Sequence, residues 1–151
     1  MKLYPFSALL ARMKYITRWS LMHSTRPESL SEHTCDTALM AHILCLIARR
    51  YTGTPCRPKT VAVAALYHDA PEIITGSLLT AEEKRLLKAA DRLSALVKCM
   101  EEQRSGNHEF DAALRQQRKA LEEMHCPEAD WFMAHCLPCF TQNLDELTRS
   151  E

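Results

Sequence analysis

Apolar residues in this chain recur at helical spacing, and no stretch alternates apolar and polar side chains over the length of a strand. A half-buried strand needs that alternation, and a helix needs apolar positions every three to four residues. The pattern therefore predicts an all-α fold. Only three glycines occur in 151 residues, so little of the chain is set aside for tight turns. A chain of this length, 46% hydrophobic, can supply the core of one domain, and no repeat or low-complexity tract divides it.

Local signals place the helices. Pro5 followed by Phe6, Leu9, Leu10 and Met13 predicts an amphipathic opening helix that runs out near Arg18 and Trp19. Ser29-Leu-Ser-Glu32 reads as a capping box, starting a long helix that carries His33 in its first turn and continues to about Tyr51. After a loop containing Gly53, Pro55 and Pro58, a helix from Pro58 through VAVAALYHD should end near Pro71, which disfavours helical geometry at Ala70. Thr80-Ala-Glu-Glu83 is a second capping box, opening a helix with Leu86, Leu87, Ala90, Leu93, Val97 and Met100 at core spacing until Gly106. Two further helices are expected, from about Asn107 to Met124 and from Pro127 onward, the last interrupted by Pro138.

Charge narrows the function classes. Nineteen basic residues balance nineteen acidic ones, so no net field draws in a nucleic-acid backbone, while a small anion needs only a local cationic site. The longest apolar stretch, Ala38 to Ala48, has eleven residues and contains His42, whereas a membrane span needs roughly twenty. The N-terminus MKLYPFSALLARMKY lacks the features of a secretory signal, and cytoplasm is the expected location. Seven cysteines, an odd number in mostly apolar helical contexts, read as reduced, buried thiols. Cys136-Leu-Pro-Cys139 has redox or zinc spacing, but no second pair accompanies it, and it is expected in the core.

Chemistry concentrates at LYHDAPEIITG. His68 and Asp69 adjoin at an expected helix end, and Asp91 sits in the alanine- and leucine-rich KAADRLSAL, where an unpaired buried carboxylate would be costly. His33, His68, Asp69 and Asp91 could converge between facing helices as a site for a divalent cation. Such a mixed nitrogen and oxygen set suits manganese, cobalt, iron or zinc better than calcium or magnesium, and it leaves positions open for water and substrate. The bland reading is that His33 decorates a helix start, His68 caps a helix end, and Asp91 pairs with Arg92 or Lys88 on a solvated face. Spacing alone leaves the two readings balanced.

RWSLMHSTRPESLSEHT (18–34), LYHDAPEIITG (66–76) and KAADRLSALVKCMEE (88–102) occur in the order of, and together resemble, the bacterial 5'-deoxynucleotidases of the HD-domain phosphohydrolase superfamily. The resemblance implies an HD-domain helical bundle that hydrolyses deoxyribonucleoside 5'-monophosphates to deoxyribonucleosides and phosphate. By it, His33, His68, Asp69 and Asp91 look like the metal ligands, with cobalt or manganese the leading metals and zinc, iron and copper the alternatives. Arg18 looks like the group that orients the phosphate, Trp19 like the residue that selects deoxyribose, and Glu72 like the acid/base residue beside the attacking water. Asp69, Asp91 and Ser77 fall among the substrate-binding positions. The resemblance also implies a homodimer.

The sequence departs from the family after Thr75-Gly76, where an aspartate, a proline-containing loop and a long segment are expected. Here Ser77-Leu-Leu-Thr80 leads straight into the helix of Asp91. The motifs on both sides are intact, which favours a segment absent near 77–80 over a natural shortening. Two rivals to the monophosphatase reading are HD hydrolysis of a triphosphate or signalling nucleotide, and a catalytically degenerate nucleotide-sensing module, to which Ser77 lends some support.

Overall fold

The structure, a computed structural model, describes residues 6–70 and 79–148. It is built of α1 (Phe6–Leu10), α2 (Leu30–Ile47), α3 (Pro58–Leu66), α4 (Ala81–Arg104), α5 (Asp111–Glu123), α6 (Pro127–His135) and α7 (Leu144–Thr148), joined by short 3-10 and π turns. No strand occurs among the described residues; a single antiparallel bridge joins Thr17 to Ser29.

Both capping boxes form. At the start of α2 the Glu32 N–H donates to Ser29 Oγ at 3.2 Å and the Ser29 N–H donates to Glu32 Oε2 at 2.7 Å. Thr80 and Glu83 repeat the exchange at α4, at 3.2 and 3.0 Å. Each box satisfies amide groups that the helix itself cannot, worth about 1 kcal/mol per cap, so these ends fix where His33 and Asp91 fall along their helices. Gly106, at φ 79°, stops α4, where its left-handed backbone lets its N–H reach back to Gln103 O at 2.9 Å.

The core lies where α2 packs along α3 and α4, with α5 against the far side of α4. Ala41 and Leu44 of α2 and Ala48 just after it meet Val61 and Ala65 of α3 and Leu86, Ala90, Leu93 and Leu96 of α4, all fully buried. The alanines let the helix axes approach closely, and the leucines fill the remaining space at about 1.5–3 kcal/mol per buried side chain. Leu121 of α5 and Phe132 of α6 close the cluster.

Two elements differ from expectation. The opening helix stops at Leu10, continues as a 3-10 turn over Ala11–Tyr15, and buries none of its residues, because five residues of α-helix give too short an apolar stripe to anchor. Helix α3 ends at Leu66, ahead of His68. The chain then tightens into a turn, with Tyr67 N–H on Ala64 O at 3.1 Å and Ala70 N–H on Tyr67 O at 2.9 Å. His68 and Asp69 therefore project from a turn, and Pro71 lies outside the described residues. The cysteines also depart in part: all seven are free thiols, but Cys35 and Cys139 are exposed, so of the Cys136/Cys139 pair only Cys136 packs against the core.

Candidate active site

Two helices and a turn bring the metal-type side chains together. His33 comes from the first turn of α2, His68 and Asp69 from the turn after α3, and Asp91 from the interior of α4. His33, His68 and Asp91 each present one ligand atom, and these three atoms lie within 4.8 Å of one another. Asp69 Oδ2 stands 3.4 Å from His68 Nε2 and 3.8 Å from His33 Nε2. Asp91 is not paired to Arg92 or Lys88 on a solvated face; its Oδ1 accepts from His33 Nε2 at 2.9 Å, and Arg92 donates to Gln117 instead.

The imidazoles are oriented from behind. His68 Nδ1 lies 2.6 Å from Ala65 O, and a carbonyl can only accept, so this nitrogen carries the proton. Its Nε2 is buried without a hydrogen-bond partner among the described residues. The nearest carboxylate oxygens, of Asp69 and Asp91, stand 3.4 and 3.5 Å away, beyond ordinary hydrogen-bonding distance. Two imidazoles and two carboxylates gathered in this way form a mixed nitrogen and oxygen set of the kind that can hold a divalent cation. His33 is held by Ser94, one turn beyond Asp91 on α4, whose Oγ lies 3.2 Å from Nδ1.

Titration behaviour follows from this packing. Burial is the largest influence on Asp91 and opposes its ionisation, but the His33 and His68 imidazoles outweigh it and hold the carboxyl well below the usual range. Burial also works against the His68 imidazolium, yet Asp91, the Ala65 carbonyl and Asp69 together raise its pKa. Each group favours the charge state that its partner complements.

Arg18 and Trp19 reach the same end of the bundle through backbone pairing. The Arg18 N–H donates to Glu28 O at 2.9 Å and the Leu30 N–H donates to Ile16 O at 2.8 Å, which fastens this segment to the start of α2 just before His33. Trp19 adopts φ 58°, a left-handed conformation costing a bulky residue roughly 1–3 kcal/mol. Its ring packs on the fully buried Phe110, with centroids 5.4 Å apart.

Glu72 and Ser77 lie outside the described residues. Two residues that motif reading passed over are part of the assembly: Ser94 behind His33, and Glu28 beneath Arg18 and Trp19. Ser94 carried a usable signal, since position i+3 from Asp91 shares its helix face. Glu28, in an extended segment, carried none.

The profile of the 5'-deoxynucleotidase YfbR-like family matches this sequence over residues 5–82 and 77–140. The chain belongs to that family. It is 33% identical to a 5'-deoxynucleotidase of Photorhabdus laumondii, over 95% of this chain and 96% of the relative, and 32% identical to one of Vibrio parahaemolyticus, over 98% of this chain and all of the relative. An HD-domain phosphohydrolase structure from Listeria innocua superposes with a TM-score of 0.76 at 15% identity, covering 93% of this chain and 90% of the other, a likeness of fold.

The 151-residue sequence runs unbroken from Gly76 to Thr80, and residues 77–82 belong to both stretches of the family match. The alignment with the Photorhabdus relative spans 189 positions, more than this chain has residues, so the excess belongs to the relative alone. Helix α4 starts from its own cap at Thr80 and Glu83 and carries Asp91 in its interior.

Proposed function

We propose that this chain is a metal-dependent phosphomonoesterase that hydrolyses deoxyribonucleoside 5'-monophosphates to deoxyribonucleosides and phosphate. The observation that carries the reading is the convergence of His33, His68, Asp69 and Asp91 from three separate elements, with a buried His68 nitrogen that no group among the described residues satisfies. In this reading those four residues hold one divalent metal, cobalt or manganese before zinc, iron or copper. When bound, the metal supplies Lewis acidity toward the phosphoryl group and a nucleophile at neutral pH.

The chain's own residues do the rest. Arg18 offers a planar guanidinium whose paired N–H groups match two phosphate oxygens. Trp19 places a rigid indole where a 2'-hydroxyl would stand, so that the deoxyribose fits and the ribose does not. Glu72 moves the proton from water to the departing 5'-oxygen, and Ser77 joins Asp69 and Asp91 in the proposed substrate-binding set.

Cytoplasm is part of this reading, supported by seven thiols none of which is in a disulfide. So is a homodimer, for which Leu39, Ile43 and Leu46, exposed along one face of α2, offer an apolar surface. No helix among the described residues is long and apolar enough to cross a membrane.

The test is a divalent-metal screen of the purified protein against 5'-deoxyribonucleotides and their ribose counterparts. Inorganic phosphate released from the deoxyribonucleotides is the expected product. Turnover confined to triphosphates, or absent with every metal, would overturn the assignment.

A further inference from the structure

We infer that Glu28 is the positioning residue that sets Arg18 and Trp19 in one fixed relation, and that deoxyribose selection depends on it. The inference rests on the roles given above to Arg18 and Trp19. A single oxygen, Glu28 Oε2, accepts from Trp19 Nε1 at 2.9 Å and from Arg18 Nη1 at 3.3 Å. The guanidinium also lies over the indole, 5.6 Å from the ring centre.

This arrangement is over-determined in the way a strained residue requires. Trp19, at φ 58°, would relax to an ordinary backbone conformation if nothing held it. The Met22 N–H closes a turn on Trp19 O at 2.8 Å, the backbone of Glu28 accepts the Arg18 N–H, and the Glu28 side chain takes the indole N–H. The carboxylate is nearly buried, 8% exposed, and a buried anion is tolerated only with a cationic partner, which Arg18 supplies.

The chemical consequence concerns geometry more than affinity. One guanidinium N–H is spent on Glu28, and an arginine has five, so a phosphate can be gripped by the others while the first keeps the plane from rotating. Phosphate and sugar are read by neighbouring residues tied to one atom. Discrimination between ribose and deoxyribose then depends on the angle between guanidinium and indole, and Glu28 fixes that angle.

Three variants separate the possibilities. Glu28→Gln keeps an acceptor oxygen and should leave the deoxyribo-to-ribo ratio of kcat/KM near the parent's. Glu28→Ala should lower that ratio by about tenfold, as should Trp19→Ala, and Glu28→Met should do the same if the alanine variant fails to fold, since it fills the volume without accepting a hydrogen bond. A second readout is hydrogen exchange at the Trp19 indole N–H, followed by NMR in apo protein. It should be protected in the parent and in Glu28→Gln, and unprotected in Glu28→Ala or Glu28→Met.

Parent protein inactive on mononucleotides would remove the substrate reading alone, because the indole signal still reports whether Glu28 holds the pair. An alanine or methionine variant with parental indole protection would overturn the inference, as would one with a parental sugar ratio in an active, folded enzyme. A lower melting temperature with neither change would mark Glu28 as a packing residue.

Discussion

His68 donates its Nδ1 proton to the carbonyl of Ala65, three residues back at the end of α3, at 2.6 Å. That one bond fixes both the tautomer and the direction of the ring, leaving Nε2 with its lone pair aimed at Asp69 and Asp91. The first prediction follows from this geometry and from the proposed ligand set. His68→Ala or Asp69→Asn should abolish retention of one divalent transition metal and with it phosphatase activity. Elemental analysis after gel filtration checks it, and full occupancy in either variant would remove that residue from the ligand set.

Ser94 should matter to metal affinity without touching the metal. His33 Nε2 donates to Asp91 in the structure; to serve as a ligand it must give up that proton, leaving Nδ1 as the protonated nitrogen and the Ser94 hydroxyl, 3.2 Å away, as its acceptor. Ser94→Ala should weaken metal binding 10- to 100-fold, the range for losing a partner behind a ligand. Competition against a calibrated chelator measures this, and thermal unfolding of the apo variant separates it from simple destabilisation.

Glu72→Ala should retain metal and bind substrate while turning over about 10²–10⁴ times more slowly, the usual loss of general acid/base help. Steady-state rates at saturating deoxyribonucleotide, alongside metal content, check it. A variant as fast as the parent would take Glu72 out of the mechanism.

Acid stability should depend on Glu83. Its carboxylate accepts from Arg57 Nε at 2.8 Å and Nη2 at 2.6 Å, and from the Thr80 N–H at 3.0 Å. Arg57 first, and then the Thr80 and Arg57 backbone N–H groups, hold its pKa down to about 2 against the opposing effect of burial. A depressed folded pKa means the contribution is complete above the ordinary value of 4.5 and is lost as pH falls toward about 2. The stability advantage of the parent over Glu83→Gln should therefore be constant near neutrality and shrink across that window, measured by urea unfolding at a series of pH values.

Much of this protein was written locally. Both capping boxes, the stop at Gly106 and the helical period of α2 and α4 depend on contacts within three or four residues, so the sequence determined them along with the all-α class. The spacing of His33, His68, Asp69 and Asp91 made a metal site one of two balanced readings. The family resemblance was legible because its motifs are contiguous. What only the tertiary structure decided is which side chains meet across elements. Nothing near Asp91 in the chain says that it will accept from His33, 58 positions away, or that Ser94 will stand behind that ring. The end of α3 at Leu66 frees His68 and Asp69 into a turn, and the pairing of 16–18 with 28–30 sets Arg18 and Trp19 on Glu28. These are decided by which helices pack, because a hydrogen bond between distant residues exists only after burial of the shared core has brought their backbones together.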